Sequence, residues 1–227
     1  MAAAAHEVRD GYTANGVYLL DLTERDADAL RLLDAWDGRY EYLGNRGREF
    51  YFTTTAGAPR GRIVAVDLET SAPAAWRTLV AEAPETIDRA RYVGGRFVVV
   101  YLKDAHSLVR TFDADGGALG ELPLPALGQV TGLDGRARDR EAYFAYTDFL
   151  TPPAVYRSDT ATHEIALFRR PAVALDPALV ETRQAAVDVE TAGRLTSGAT
   201  VVDWEGRWGR LANCEIAVSV DAERFRS

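Results

Sequence analysis

Four short segments of this chain end alike. VYLLD (17–21), IVAVD (63–67), VRTFD (109–113) and VYRSD (155–159) are β-prone runs closed by aspartate. Their aspartates, Asp21, Asp67, Asp113 and Asp159, stand 46 residues apart at every step. Self-similarity at a fixed period of about 40–50 residues marks a supersecondary unit that buries its faces against copies of itself.

The contents of each period identify that unit. YEYLG (40–44), EFYFTT (49–54), GRIVAVD (61–67) and WRTLV (76–80) read as four strands separated by turn residues. The pattern returns as ARYV (90–93), RFVVVYL (96–102), LVRTFD (108–113) and ALGEL (118–122), and again as QVTGL (129–133), EAYFAYT (141–147), AVYRSD (154–159) and EIALF (164–168). Four short strands per repeat is the blade of a β-propeller. Residues 1–34 supply VYLLD and ALRLLD (29–34), the third and fourth strands of a further blade. The expected fold is therefore all-β: a partial β-propeller of about three and a half four-stranded blades with a poorly defined C-terminal tail, whereas closed propellers use about four to eight blades. Each repeat aspartate is expected to end a third strand and to accept a backbone N–H two residues on, an Asx-turn, with DADGG (113–117) the clearest instance.

Composition narrows the function. The 227 residues carry a formal net charge of −8, which argues against a phosphate-reading surface, so no nucleic acid is expected as a partner. Lys103 is the only lysine and Cys214 the only cysteine, so no intrachain disulfide or multi-cysteine metal site can form. The opening MAAAAHEVRD lacks the apolar core of a signal peptide, and no run of about 18 apolar residues exists. A cytoplasmic location without membrane attachment is expected.

Catalytic chemistry finds little to use. A strained G-x-S-x-G elbow, which would present a serine hydroxyl beside an oxyanion hole, occurs nowhere. Ser197, in LTSGA, has glycine on one side only. His6, His106 and His163 are the only histidines; His106 (DAHS) and His163 (TATHE) read as exposed turn residues, and no two have metal-ligand spacing. GLDGRARD (132–139) is a polar hairpin loop and not a phosphate loop. No catalytic residue, metal ligand or cofactor is expected.

Several dissimilar segments resemble, in order, the propeller of the prolyl oligopeptidase family. They are LLDAWDGRYEYLGNRGREFYFTTTAGAPRGRIVAVDLE (32–69), YLKDAHSLVRTFDADG (101–116), AYFAYTDFLTPPAVYRSDTAT (142–162), which has an F-x-T/S-P turn before a Y-x-x-D, and FRRPAVALDPALVETRQ (168–184). The resemblance covers roughly residues 8–184. It implies a seven-bladed propeller that caps an α/β-hydrolase domain and admits short peptides to a Ser-Asp-His triad that cleaves after proline. By that comparison the chain holds the second half of the propeller, from mid-blade four to blade seven. It also implies a substrate-contacting arginine before the third strand of blade four, for which Arg9 in EVRDGYTANG is the nearest residue, with altered wording and spacing.

The family pattern stops at Gln184. The chain divides into a partial propeller, 1–184, and a divergent tail with no recognised domain, 185–227, which offers two strands, ATVVDW (199–204) and CEIAVSV (214–220). The tail reads either as a degenerate extra blade edge or as a frame-shifted or divergent sequence. The resemblance makes the chain a substrate-gating fragment of a serine peptidase for short proline-containing peptides, without hydrolysis of its own. The alternatives are a stand-alone interaction module and a non-catalytic subunit completed by a separate hydrolase chain. Exposed blade faces are expected to favour self-association or contact with a hydrolase domain.

Overall fold

The structure is a computed structural model describing residues 2–9, 12–21, 23, 28–148, 152–172, 181–185 and 215–219, with side chains described between residues 14 and 172. The described residues form antiparallel sheets. A three-stranded sheet is built from β1 (Ala2–Arg9), β2 (Tyr12–Leu19) and β3 (Leu30–Leu33). Three four-stranded sheets follow in chain order. The first of them holds β4 (Tyr40–Arg46), β5 (Glu49–Thr54), β6 (Arg62–Asp67) and β7 (Arg77–Val80). The next holds β8 (Thr86–Val93), β9 (Arg96–Lys103), β10 (His106–Asp113) and β11 (Ala118–Glu121). The last holds β12 (Gln129–Asp134), β13 (Glu141–Thr147), β14 (Ala154–Asp159) and β15 (Ile165–Arg169). Each sheet is a meander of neighbouring strands, the blade that the sequence period specifies. A separate pair, β16 (Glu181–Ala185) with β17 (Glu215–Ser219), crosses the boundary expected after Gln184. ATVVDW and the F-x-T/S-P turn at 149–152 lie wholly or largely outside the described residues.

The first unit corrects one expectation. The sequence pattern predicts only the last two strands of a blade there, yet β1 pairs with β2 along its whole length, from Ala2 opposite Leu19 to Arg9 opposite Tyr12. The unit therefore has three strands. The AAAA run carries no β-branched or aromatic signal, so its strand character comes from pairing with β2 and not from local propensity.

All four repeat aspartates make the expected turn, and Asp67, Asp113 and Asp159 end their strands, whereas β2 stops at Leu19, two residues before Asp21. Oδ1 of Asp21, Asp67, Asp113 and Asp159 accepts the backbone N–H two residues on, from Thr23 (2.8 Å), Glu69 (2.7 Å), Asp115 (2.9 Å) and Ala161 (2.7 Å). Asp113 also accepts from Gly117 at 2.7 Å, and this closes the DADGG turn. The Asp159 carboxyl is held below the ordinary aspartate range by the N–H groups of Ala161 and Thr162 and by Arg140.

Successive side chains on a strand point to opposite faces, so each unit has a face toward the preceding unit and one toward the following unit. Three apolar clusters fill the boundaries. Val17, Leu32 and Leu33 of the first unit pack with Phe52, Val64 and Val66 of the second. Tyr51, Ile63 and Ala65 of the second pack with Ala90, Phe97 and Val99 of the third. Val98, Val100 and Val109 of the third pack with Val130, Phe144 and Tyr146 of the fourth. The core of this protein thus lies between sheets, as in a repeat array where each unit is stabilised by its neighbours.

Candidate functional site: the inner rim and the blade seams

The innermost strands converge. β8 contacts both β4 and β12 across the unit boundaries. Their exposed edges carry charge. Ala90 is fully buried, so Arg89 and Arg91 on either side of it turn away from the core. Arg91 reaches Glu41 of the second unit at 2.9 Å, and Arg39 stands 3.6 Å from the same carboxylate. Arg89 pairs with Asp88 at 2.8 Å and donates to the carbonyl of Thr131, in the fourth unit, at 2.7 Å. Two arginines of one strand therefore stitch three inner strands together. The resulting rim is polar, charged and internally paired.

Behind the rim a second set of bonds joins each unit to the next. The Asn15 side chain donates to the carbonyl of Tyr40 at 3.0 Å and accepts from its N–H at 2.7 Å. Two repeats later, the Ser107 hydroxyl accepts from the N–H of Val130 at 2.9 Å, and the N–H of Ser107 donates to the Gly128 carbonyl at 2.8 Å. Asn15 and Ser107 are buried, and they stand two 46-residue steps apart with Gly61 between them. Sequence reasoning missed these seam residues; the aspartate period, counted six residues upstream, would have found them. The next position in the series is Pro153, which has no N–H to give.

The outer hairpins reach back in the opposite direction. Asp115 lies 3.3 Å from Arg46 and 3.7 Å from Arg77 of the second unit, and Arg77 also bonds Glu49 at 2.6 Å. Gly116 (φ 92°) passes so close to Leu79 that a Cβ there would collide with the Leu79 carbonyl. One unit later His163 (φ 62°) brings its Nε2 to 2.8 Å from the hydroxyl of Thr111.

Both described histidines depart from the expected exposed turn. His106 and His163 are half-buried, and Nδ1 of His106 is buried without a hydrogen bond. The Thr111 hydroxyl also lies 3.2 Å from the Gly120 carbonyl, and which partner donates in the His163–Thr111 contact depends on the histidine tautomer. Arg9, the one substrate-contacting residue expected, ends β1 opposite Tyr12; its side chain is outside the described residues, as are His6, Ser197 and Cys214. Among the described residues no group of three or more His, Cys, Asp or Glu is arranged to hold a metal ion, and no helix is long and apolar enough to cross a membrane.

A meander of four-stranded sheets with polar inner strands and apolar seams defines part of a β-propeller. Residues 3–171 match the model of the prolyl oligopeptidase N-terminal β-propeller domain. The chain belongs to the prolyl oligopeptidase family. It is 26% identical over 163 residues to a prolyl endopeptidase of Elizabethkingia miricola, a match covering 72% of this chain and 23% of that protein. A solved prolyl endopeptidase matches with a TM-score of 0.69 at 30% identity, over 76% of this chain and 25% of its own. Prolyl oligopeptidase B from Galerina marginata, at 18% identity, shares the fold with a TM-score of 0.71 over 82% of this chain and 28% of its own. The chain spans about a quarter of the length of these relatives.

A second family model, the inosine-uridine preferring nucleoside hydrolase, matches residues 159–227. The non-specific ribonucleoside hydrolase RihC of Salmonella paratyphi B is 46% identical over 50 residues, which are 22% of this chain and 16% of that protein. The tail that carried no recognised domain in the sequence thus has a likeness of its own, to a different class of hydrolase.

Proposed function

We propose that this chain provides part of a substrate-gating propeller of a prolyl-oligopeptidase-type serine peptidase acting on short proline-containing peptides, and that it performs no hydrolysis by itself. The family match over residues 3–171 carries the reading. The paired rim of Arg39, Glu41, Arg89 and Arg91 supports it, because a polar edge whose charges are already paired can pass an extended peptide without holding it. Arg9 is the residue proposed to touch the peptide. Lack of activity rests on the sequence, which has no G-x-S-x-G to present an activated serine. Chemistry would come from a hydrolase domain held against the propeller.

The test is reconstitution. The hydrolase domain of the Elizabethkingia miricola relative is prepared separately and mixed with this chain. Gating predicts that cleavage of a large folded protein falls on mixing, while cleavage of a short proline chromogenic peptide is kept. Equal cleavage of both substrates, with and without the chain, would sink the reading.

For the tail, the 46% identity over 50 residues favours an in-frame segment related to nucleoside hydrolases over frame-shifted sequence, since a shifted frame does not preserve identity to a working protein. The matched stretch is 16% of that relative.

A further inference from the structure

The second unit holds a half-buried guanidinium that the chain leaves unmatched. Arg89, Arg91 and Arg110 are half-buried as well, and each bonds a carboxylate: Asp88 at 2.8 Å, Glu41 at 2.9 Å and Glu85 at 3.1 Å. Arg62 opens β6 opposite Thr54, and its Nε is buried without a hydrogen bond. Among the described residues Arg62 makes no ion pair. Taking a charged donor out of water without an acceptor costs free energy, and such a group in a folded chain needs a reason. The polar groups around it come from the same unit and are already engaged. The Tyr40 hydroxyl is near enough to be influenced by the Arg62 charge, but it donates to Asp37 at 2.5 Å. The Thr54 hydroxyl accepts from the N–H of Ala56 at 3.0 Å. Nη2 of Arg62 lies beside the turn at Gly57 (φ 63°), 3.9 Å from where a Cβ on that glycine would stand, and both Gly57 and Asp37 are exposed. The way from solvent to the guanidinium is thus a glycine turn with no side chain. The loop 55–61 joins β5 to β6 as the Arg9–Tyr12 turn joins β1 to β2, so Arg9 and Arg62 belong to the same end of the array.

We propose that Arg62 binds a carboxylate, the C-terminal carboxylate of a short peptide. The proposal rests on the reading of this chain as part of a peptidase propeller and adds a recognition element to it. A guanidinium matches a carboxylate in plane and in charge, and the two form charge-assisted hydrogen bonds that a neutral amide does not equal. A free carboxylate at the end of the backbone is what a short peptide has and the interior of a long chain lacks. Arg62 therefore selects short peptides by charge, where a passage would select them by width. Arg9 contacts the peptide at the same end, and Arg62 fixes its terminus.

Calorimetric titration of the purified 227-residue chain tests this with three probes: acetylated alanyl-prolyl-alanine as the free acid, the same peptide as its C-terminal amide, and an amidated peptide carrying an internal glutamate. The acid is expected to bind about tenfold tighter than either amide. Arg62→Gln removes that preference, and Arg62→Lys, which keeps the charge and loses the planar fork, restores part of it. Equal affinity for acid and amide overturns the proposal, as does binding of neither, or an acid preference that survives Arg62→Gln. An internal-glutamate amide that binds as tightly as the acid overturns the assignment to the C-terminus. If Arg62→Gln loses the strand signal in circular dichroism, the side-chain Nε resonance of Arg62 in the unaltered chain serves instead: it should move on addition of the acid and stay in place with the amide. Binding is read without any hydrolase domain, so this result and the mixing experiment on gating can fail separately.

Discussion

The seam between the second and third units and the seam between the third and fourth occupy the same positions with different chemistry. At the first, Tyr51, Tyr92 and Phe97 form a ring cluster with centroids 5.0–5.2 Å apart, and the returning hairpin is fastened by Asp115 to Arg46 and Arg77. At the second, the third unit contributes valines, Val98, Val100 and Val109, and the returning hairpin is fastened by His163 to Thr111. The repeat specifies where a boundary residue stands and whether it is buried, and leaves its type free. That freedom lets the two seams differ in strength, salt response and pH response while the array keeps one geometry.

The largest expected difference comes from Phe97→Ala. It removes a ring with no exposed surface from the aromatic seam and should cost about 3–5 kcal/mol in denaturant unfolding. Val98→Ala, on the next residue but facing the other seam, should cost about 2 kcal/mol. Equal losses at the two positions would erase the distinction between the seams. Asp113→Ala removes the acceptor of two backbone N–H groups and should cost about 1 kcal/mol in the same assay, with asparagine, which keeps an acceptor oxygen, nearer to neutral.

pH separates Tyr51 from its counterpart Tyr143. Burial, followed by the neighbouring Tyr92, pushes the Tyr51 hydroxyl up from 10.0 to about 12. A group whose folded value is raised contributes stability that is full below its unfolded value and is lost as pH rises toward the folded one. Stability should therefore fall between pH 10.0 and about 12, and Tyr51→Phe should flatten that fall. Tyr143 is raised too, first by its bond to Glu141 and only second by burial, so Tyr143→Phe should flatten the alkaline fall less than Tyr51→Phe does. The smallest effect is at Asp115, whose ion pairs are exposed. Asp115→Ala should shift the unfolding midpoint slightly at low salt and not at all in about 1 M salt, where screening acts over about 3 Å.

Much of this arrangement was legible in the sequence, and the reason is periodic burial. The strands from Tyr40 to Phe168 alternate, their turns carry Gly, Asn and Asp, and Asp21, Asp67, Asp113 and Asp159 mark one position in four units. β1 was not legible because alanine carries no strand preference, so its partner β2 decides its conformation. The inner rim was less legible still. Arg89 and Arg91 flank one buried alanine, but nothing local says that one reaches back to Glu41 and the other forward to Thr131. Those partners lie 50 and 42 residues away and meet only when the units stack. The tail stayed opaque for another reason: its likeness is to a second family, and the 46-residue period has no bearing on it.

The most direct measurement of the central functional claim is hydrolysis of a proline-containing chromogenic peptide by the purified chain alone. No release of chromophore above the uncatalysed rate is predicted, because no residue of the sequence stands in a nucleophile elbow. Turnover that scales with protein concentration and disappears with a serine-directed inhibitor would contradict it.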